Sequence, residues 1–151
     1  MKEEQGLTLI ELICTITVLG MLLVVAVPSI TDLIDKWVLE STAREIVEDI
    51  RWTQYLAITK GVTHNFDLNV ANRSYRVRSA LLQEPTIKSV KFKSTITNIT
   101  STFRNHGSYK RLSFATTGNP SQTGSIILTS KKGREITITV AVGTGRVIIK
   151  Y

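Results

Sequence analysis

At 151 residues the chain has room for one modest globular domain and one further element, and its composition is ordinary except for charge, a net +7 at neutral pH. Its one cysteine, Cys14, has no partner in the sequence, which excludes an intrachain disulfide. The charge is unevenly placed: Ser29 to Lys60 holds four basic and six acidic residues, a balance of −2, whereas Gly61 to Tyr151 holds fourteen and three, a balance of +11.

From Leu7 to Val27 the chain is almost wholly apolar, and Glu11 is its one charged side chain. As a helix this run spans roughly 32 Å, which matches a hydrocarbon core of about 30 Å. A secretory signal peptide fits less well, because its apolar region is usually about 7 to 15 residues and Ala26, Val27, Pro28 make a poor cleavage site. A carboxylate in such a helix costs about 2.5 to 3.5 kcal/mol at the bilayer centre, less near the interface, so Glu11 needs a cation. The run supplies no Lys or Arg, and Lys2 is flanked by Glu3 and Glu4. A cut after Gly6 would create an α-amine on Leu7 that pairs with Glu11 of a neighbouring parallel helix.

Past Pro28 the pattern becomes striped. Ile30, Leu33, Ile34, Trp37, Val38, Ile46, Val47, Ile50 and Ala57 recur at steps of three and four, with charged residues between, as in an amphipathic helix that covers a core. Pro28 removes one backbone hydrogen bond and predicts a kink rather than a stop, since helical periodicity resumes at once. Gly61 fits a left-handed cap ending the helix near Lys60. The expected helix runs from about Thr8 to Lys60, roughly 80 Å at the standard rise.

A polar leader ending in Gly6, then Leu7, Thr8, Leu9, Ile10, Glu11 and a long apolar helix interrupted by Pro28 resembles the N-terminal signal of type IV pilins and type II secretion pseudopilins. The resemblance implies a prepilin peptidase that cleaves after Gly6 and methylates the new N-terminus at Leu7, and an assembly role for Glu11 and Pro28. Leu7 stands where phenylalanine is most common, and the leader has one Lys against two acidic residues where basic leaders are usual.

Beyond Gly61 the pattern alternates every second residue, the mark of half-buried strands. Phe66, Leu68 and Val70 alternate with Asn65, Asp67 and Asn69, and Ala71 to Ser74 turn the chain into Tyr75 and Val77, which reads as a hairpin. Further alternation appears at Ile87, Val90 and Phe92, at Leu112 and Phe114, at Ile126 to Leu128, at Ile136, Ile138 and Val140, and at Val147 to Ile149. The predicted class is α+β: a long N-terminal helix, half transmembrane and half amphipathic, packed on an antiparallel β-sheet or small sandwich. The closing stretch, an aromatic followed by a Gly-bearing loop (Phe114 to Gly124), two strands and Gly145-Arg146, resembles the GspH/FimT class of minor pseudopilins.

Catalytic and metal chemistry finds no constellation. His64 and His106 are isolated and read as surface or loop histidines, and no HxxxH, CxxC or paired-carboxylate spacing occurs. Gly143-Thr144-Gly145 lacks the third glycine of a dinucleotide loop and reads as a tight turn. No enzyme activity, cofactor or metal is expected.

The basic residues admit two readings. Arg73, Arg76 and Arg78 fall around one hairpin, with 76 and 78 on one face; Lys88 has the opposite parity from Lys91 and Lys93; Lys131, Lys132 and Arg134 crowd one turn; Arg146 and Lys150 close the chain. Such a field attracts phosphate backbones with a salt-dependent affinity. Equally, lysine and arginine solubilise exposed strands and blunt sheet edges. Some FimT-class proteins bind DNA through a Gly-Arg-x-Arg element, but here Gly145, Arg146 and Val147 are followed by Ile148, so the second arginine is missing.

The expected organisation is a leader, 1–6, a transmembrane and assembly helix, 7–28, an amphipathic helix, 29–60, and a basic β-rich domain, 61–151. The expected role is a minor pilin or pseudopilin, single-pass in the inner or cytoplasmic membrane with its C-terminal domain outside the cytoplasm. Its partners would be other pilins, prepilin peptidase and membrane lipid. The alternative is a DNA-binding minor pilin that acts in DNA uptake for natural transformation.

Overall fold

The computed structural model describes residues 8–81, 85–141, 143 and 145–151, the side chains of 25–29 excepted. The chain forms two compact units, one up to Ile34 and one from Asp35 to Tyr151. Helix α1, Leu9–Lys60, contributes to both, and its helical backbone continues through Pro28.

Thr8 starts the helix. Its Oγ1 accepts the Glu11 backbone N–H at 3.3 Å, and Glu11 stands at the third helical position, the spacing of a capping box. A carboxylate in the first turn is also favoured by the helix dipole, so Glu11 has a local role besides any intermolecular one. Every side chain from Thr8 to Val24 is exposed. Among the described residues no helix is long and apolar enough to cross a membrane; of the sequence-based span, Leu7 and the side chains of 25–27 lie outside those residues.

In the second unit α1 buries Leu39, Ala43, Ile46, Val47, Ile50, Thr53 and Ala57, at helical steps of three and four. The expected stripe is corrected at its start: Ile30, Leu33 and Ile34 are exposed, and Trp37 is 70% exposed. Trp37 precedes Leu39 by two residues, which is about 200° around a helix, so the stripe through Trp37 lies on a different face from the core stripe. Gly61, at φ 63°, ends the helix in the left-handed region as expected.

Among the described residues nine strands follow: β1 (His64–Asn69), β2 (Ser74–Ser79), β3 (Thr86–Lys91), β4 (Ile96–Ser101), β5 (Arg104–His106), β6 (Tyr109–Phe114), β7 (Gly124–Ser130), β8 (Glu135–Val140) and β9 (Val147–Lys150). They form two antiparallel sheets, β3-β2-β1-β6-β5 and β4-β7-β8-β9. The inner faces of both sheets and the buried stripe of α1 enclose one core, including Phe66, Leu68, Tyr75, Leu112, Phe114, Ile126 and Ile138. Tyr75 stacks on Phe66 at 5.1 Å between ring centroids.

Polar ties fix α1 to both sheets. The Ser130 hydroxyl donates to buried Asp35 at 2.7 Å. Asp49, also buried, accepts the Tyr75 hydroxyl at 2.6 Å and Lys88 Nζ at 2.8 Å. Burial, then the hydrogen bond and negative charge of Asp49, hold the Tyr75 phenol far above its ordinary value, so it stays a donor at all physiological pH.

Two strands escape the alternation signal. In β4 the register shifts between Ile96 and Asn98, which breaks the two-residue period. Strand β5 has three residues, all exposed, and no apolar side chain to mark it. His64 is corrected as well. It is fully buried in β1, pairs with Ser79 and Phe114, and its Nδ1 lies 2.7 Å from the Val62 carbonyl, which makes Nδ1 the protonated nitrogen.

Candidate functional site

Strand β1 reads in sequence as half-buried, yet all six of its residues are buried. Phe66 and Leu68 face the core, and the alternate positions, Asn65, Asp67 and Asn69, face the outer side of the five-stranded sheet. What covers Asp67 there is arginine. Arg111 Nε donates to Oδ1 at 2.6 Å and its Nη2 to Oδ2 at 3.1 Å. Arg76 Nη2 reaches Oδ2 at 3.2 Å and Arg78 Nε at 3.1 Å.

Topology assembles this group. Strand β1 lies between β2 and β6, so register sets Asp67 directly opposite Arg76 on one side and Arg111 on the other. Burial pushes the Asp67 carboxyl up, but the hydrogen bond and charge of Arg111, then the charges of Arg76 and Arg78, outweigh it and hold the carboxyl below its ordinary value of 3.8. Arg76 also lies 3.9 Å over the centre of the Tyr109 ring, a cation–π contact that fixes its guanidinium further.

The basic residues singled out in the sequence therefore separate into several places. Arg76, Arg78 and Lys91 share the outer face of the five-stranded sheet, since Lys91 pairs with Ser74 and Ser89 with Arg76. Arg73 stands at the β1–β2 turn with φ 49°, and its Nε and Nη2 are buried without a hydrogen-bond partner among the described residues. Lys93 follows β3, and its carbonyl accepts the Ile96 N–H. Lys131, Lys132 and Arg134 sit at the β7–β8 turn, on the other sheet. Arg146 and Lys150 flank and close β9, where Arg146 lines a hollow with Arg44, Glu48 and Arg51 of α1. Lys88, of opposite parity, points inward to Asp49 and Glu45.

Sequence reasoning missed Arg104 and Arg111, which extend the outer face. Arg104 on β5 is the register partner of Arg111 on β6. The available signal was parity: Arg111 alternates with Leu112, so it had to face away from the core. Among the described residues no three His, Cys, Asp or Glu side chains come together as metal ligands.

At the other end of the chain, Glu11 shares one exposed helix face with Cys14, Thr15, Val18 and Leu19. It makes no ion pair among the described residues. Residues 1–27 match the family described as the prokaryotic N-terminal methylation motif. Gly6, Leu7 and Glu11 fall inside that match, and Pro28 one residue beyond it.

Solved structures share the fold. The minor pseudopilin EpsH from the type 2 secretion system of Vibrio cholerae superposes with a TM-score of 0.61 at 10% identity, over 74% of this chain and 95% of that one. The type IV minor pilin FimU of Pseudomonas aeruginosa gives 0.60 at 10% identity, over 75% and 88%. The chain thus joins a prokaryotic N-terminal methylation motif to a fold shared with a minor pseudopilin and a minor pilin. No curated protein matches it by sequence. The α+β class expected from the residues is the one observed: a long N-terminal helix on antiparallel sheets.

Proposed function

We propose that the chain is a structural subunit, a minor pilin or pseudopilin, that assembles through the first part of α1. The observation that carries this reading is the uncovered apolar surface from Leu9 to Val24, exposed all round the helix, in a segment that matches the N-terminal methylation motif. Such a surface needs lipid or neighbouring helices to cover it. In this reading prepilin peptidase removes 1–6, the new amine of Leu7 is methylated, 7–28 holds the subunit in the inner or cytoplasmic membrane, and the basic domain lies outside the cytoplasm. Other pilins then replace lipid around the helix as the subunit enters a pilus or secretion pseudopilus, along its length or at its tip. Glu11 pairs with the Leu7 amine of a neighbour. Cys14 and Thr15 on the same face are small enough for close helix approach. Nothing in this role asks for catalysis.

Processing provides the test. Mass spectrometry of the membrane-extracted protein from cells with active prepilin peptidase is expected to show residues 1–6 removed and a methylated Leu7. A Gly6→Val variant is expected to keep its leader. An intact leader on the wild-type protein refutes the reading.

A second reading, DNA capture during uptake, is favoured by the outer face of the five-stranded sheet, where Arg76, Arg78 and Arg111 bind one carboxylate and Lys91 and Arg104 add further positive charge. Lys88 does not contribute, because Asp49 and Glu45 hold it on the inner side. Gel-shift titration of the detergent-solubilised chain is expected to show binding at low salt that weakens steeply as salt rises. Absence of a shift at low salt leaves the structural role alone.

A further inference from the structure

The outer face of the five-stranded sheet holds more guanidinium than its carboxylate neutralises. Register places Arg104, Arg111, Asp67 and Arg76 side by side in one row across β5, β6, β1 and β2. Asp67 engages Arg111, Arg76 and Arg78 through its two oxygens, and Arg104 makes no ion pair among the described residues. Like charges directly opposite one another destabilise a sheet, so the Arg104–Arg111 pair has an unmet need for negative charge.

Beside that pair lies a cavity of about 200 Å³ lined by Arg104, His106, Arg111, Ser113, Ser121 and Gln122. Its wall is built rather than incidental. Gln122 Nε2 donates to the Arg111 carbonyl at 2.6 Å, and its Oε1 accepts the Arg104 N–H at 3.3 Å, which ties β5, β6 and the loop before β7 together. The Ser121 N–H donates to the Ser113 carbonyl at 2.8 Å, while Ser121 Oγ accepts the Ser113 N–H at 3.3 Å and keeps its own hydrogen to donate. Arg111 spends Nε and Nη2 on Asp67, which leaves Nη1 available. Donors thus converge from two strands and a loop, a geometry that suits a tetrahedral oxyanion.

We propose that this cavity binds a phosphate-type oxyanion, held between the guanidinium groups of Arg104 and Arg111 with the Ser121 hydroxyl as a further donor. The proposal rests on neither functional reading above: a free phosphate fits it as well as the phosphodiester of a nucleic acid. Bound anion neutralises the opposed arginines and ties the β5 edge to the β6–β7 loop.

The full chain in detergent micelles, titrated with inorganic phosphate at low salt in a calorimeter, tests it. Phosphate is expected to raise the melting temperature of the wild type, because it binds only the folded state. Arg104→Ala is expected to weaken phosphate binding by roughly tenfold, the loss of one charge-assisted contact, while its melting temperature without phosphate does not fall below the wild-type value, because the substitution relieves the opposed arginine pair. Arg104→Lys, which keeps the charge, is expected to recover part of the affinity. A parallel titration with a short oligothymidylate separates the sources. If Arg104→Ala weakens both ligands, the nucleic-acid backbone enters the cavity; if it weakens phosphate alone, free phosphate is the ligand. Equal phosphate affinity in wild type and Arg104→Ala, or no phosphate binding to the wild type at low salt, overturns the proposal.

Discussion

Replacing Asp67 with asparagine is expected to cost the domain about 3 kcal/mol at neutral pH, within the range found when one partner of a buried ion pair is removed. The carboxylate is fully buried and takes Arg76, Arg78 and Arg111 at once, so its loss leaves three guanidinium groups crowded against a neutral amide. Their side chains keep between 14% and 28% of their surface in water, which moderates the penalty. The effect must also depend on pH. Because the folded carboxyl is held below its ordinary value of 3.8, its contribution is fully present above that value and is lost as pH falls through the lowered one. Urea unfolding of wild type and Asp67→Asn, at neutral pH and in progressively stronger acid, is therefore expected to show a gap that narrows on acidification. A gap of constant size at every pH would mean that the arginines do not stabilise the ionised form.

Glu11→Ala is expected to leave the protein in the membrane and to remove it from filaments. Insertion should not suffer, since a carboxylate in an apolar helix costs free energy and alanine costs none. Incorporation should fall by roughly tenfold or more, the ratio that about 1.4 kcal/mol per contact produces, because the proposed pairing with a neighbour's Leu7 amine can no longer form. The capping position of Glu11 supplies a control. Thr8 Oγ1 accepts the Glu11 backbone N–H, and alanine at 11 keeps that bond, so the helix start survives the substitution. Comparing membrane and sheared-filament fractions measures both arms. Wild-type incorporation of the alanine variant would sink the pairing model, whatever the insertion level.

Much of the architecture was legible because it depends on local pattern. The apolar run to Val27, the helix end at Gly61 and the turn between β1 and β2 each follow from a few adjacent residues whose conformational preferences agree. Strands with clean alternation, such as β2 and β8, declare themselves in the same way. Legibility failed where the pattern was interrupted or too short, in the shifted β4 and the three-residue β5, and where apolar spacing was right but the face was wrong, as at Trp37.

The candidate sites divide along the same line. Gly6, Leu7 and Glu11 lie close together within the matched N-terminal motif, so the proposed roles were readable without any fold. The arginine group could not be read, since Arg111 is forty-four residues from Asp67 in sequence, and only the insertion of β1 between β2 and β6 makes them neighbours. Counting charge revealed that the C-terminal half is basic; it could not reveal that Arg76 and Arg78 already have a partner while Arg104 faces another arginine.

By itself, then, the sequence determined the apolar helix with its single carboxylate, the change from three-and-four spacing to alternation at Gly61, and the excess of positive charge beyond it. The tertiary structure decided which cations are spent, that His64 and Asp67 are buried, and where donors converge without a carboxylate. Helical and strand periods are properties of neighbours along the chain, whereas ion pairing and burial are set by strand order and register, which join residues the chain keeps far apart.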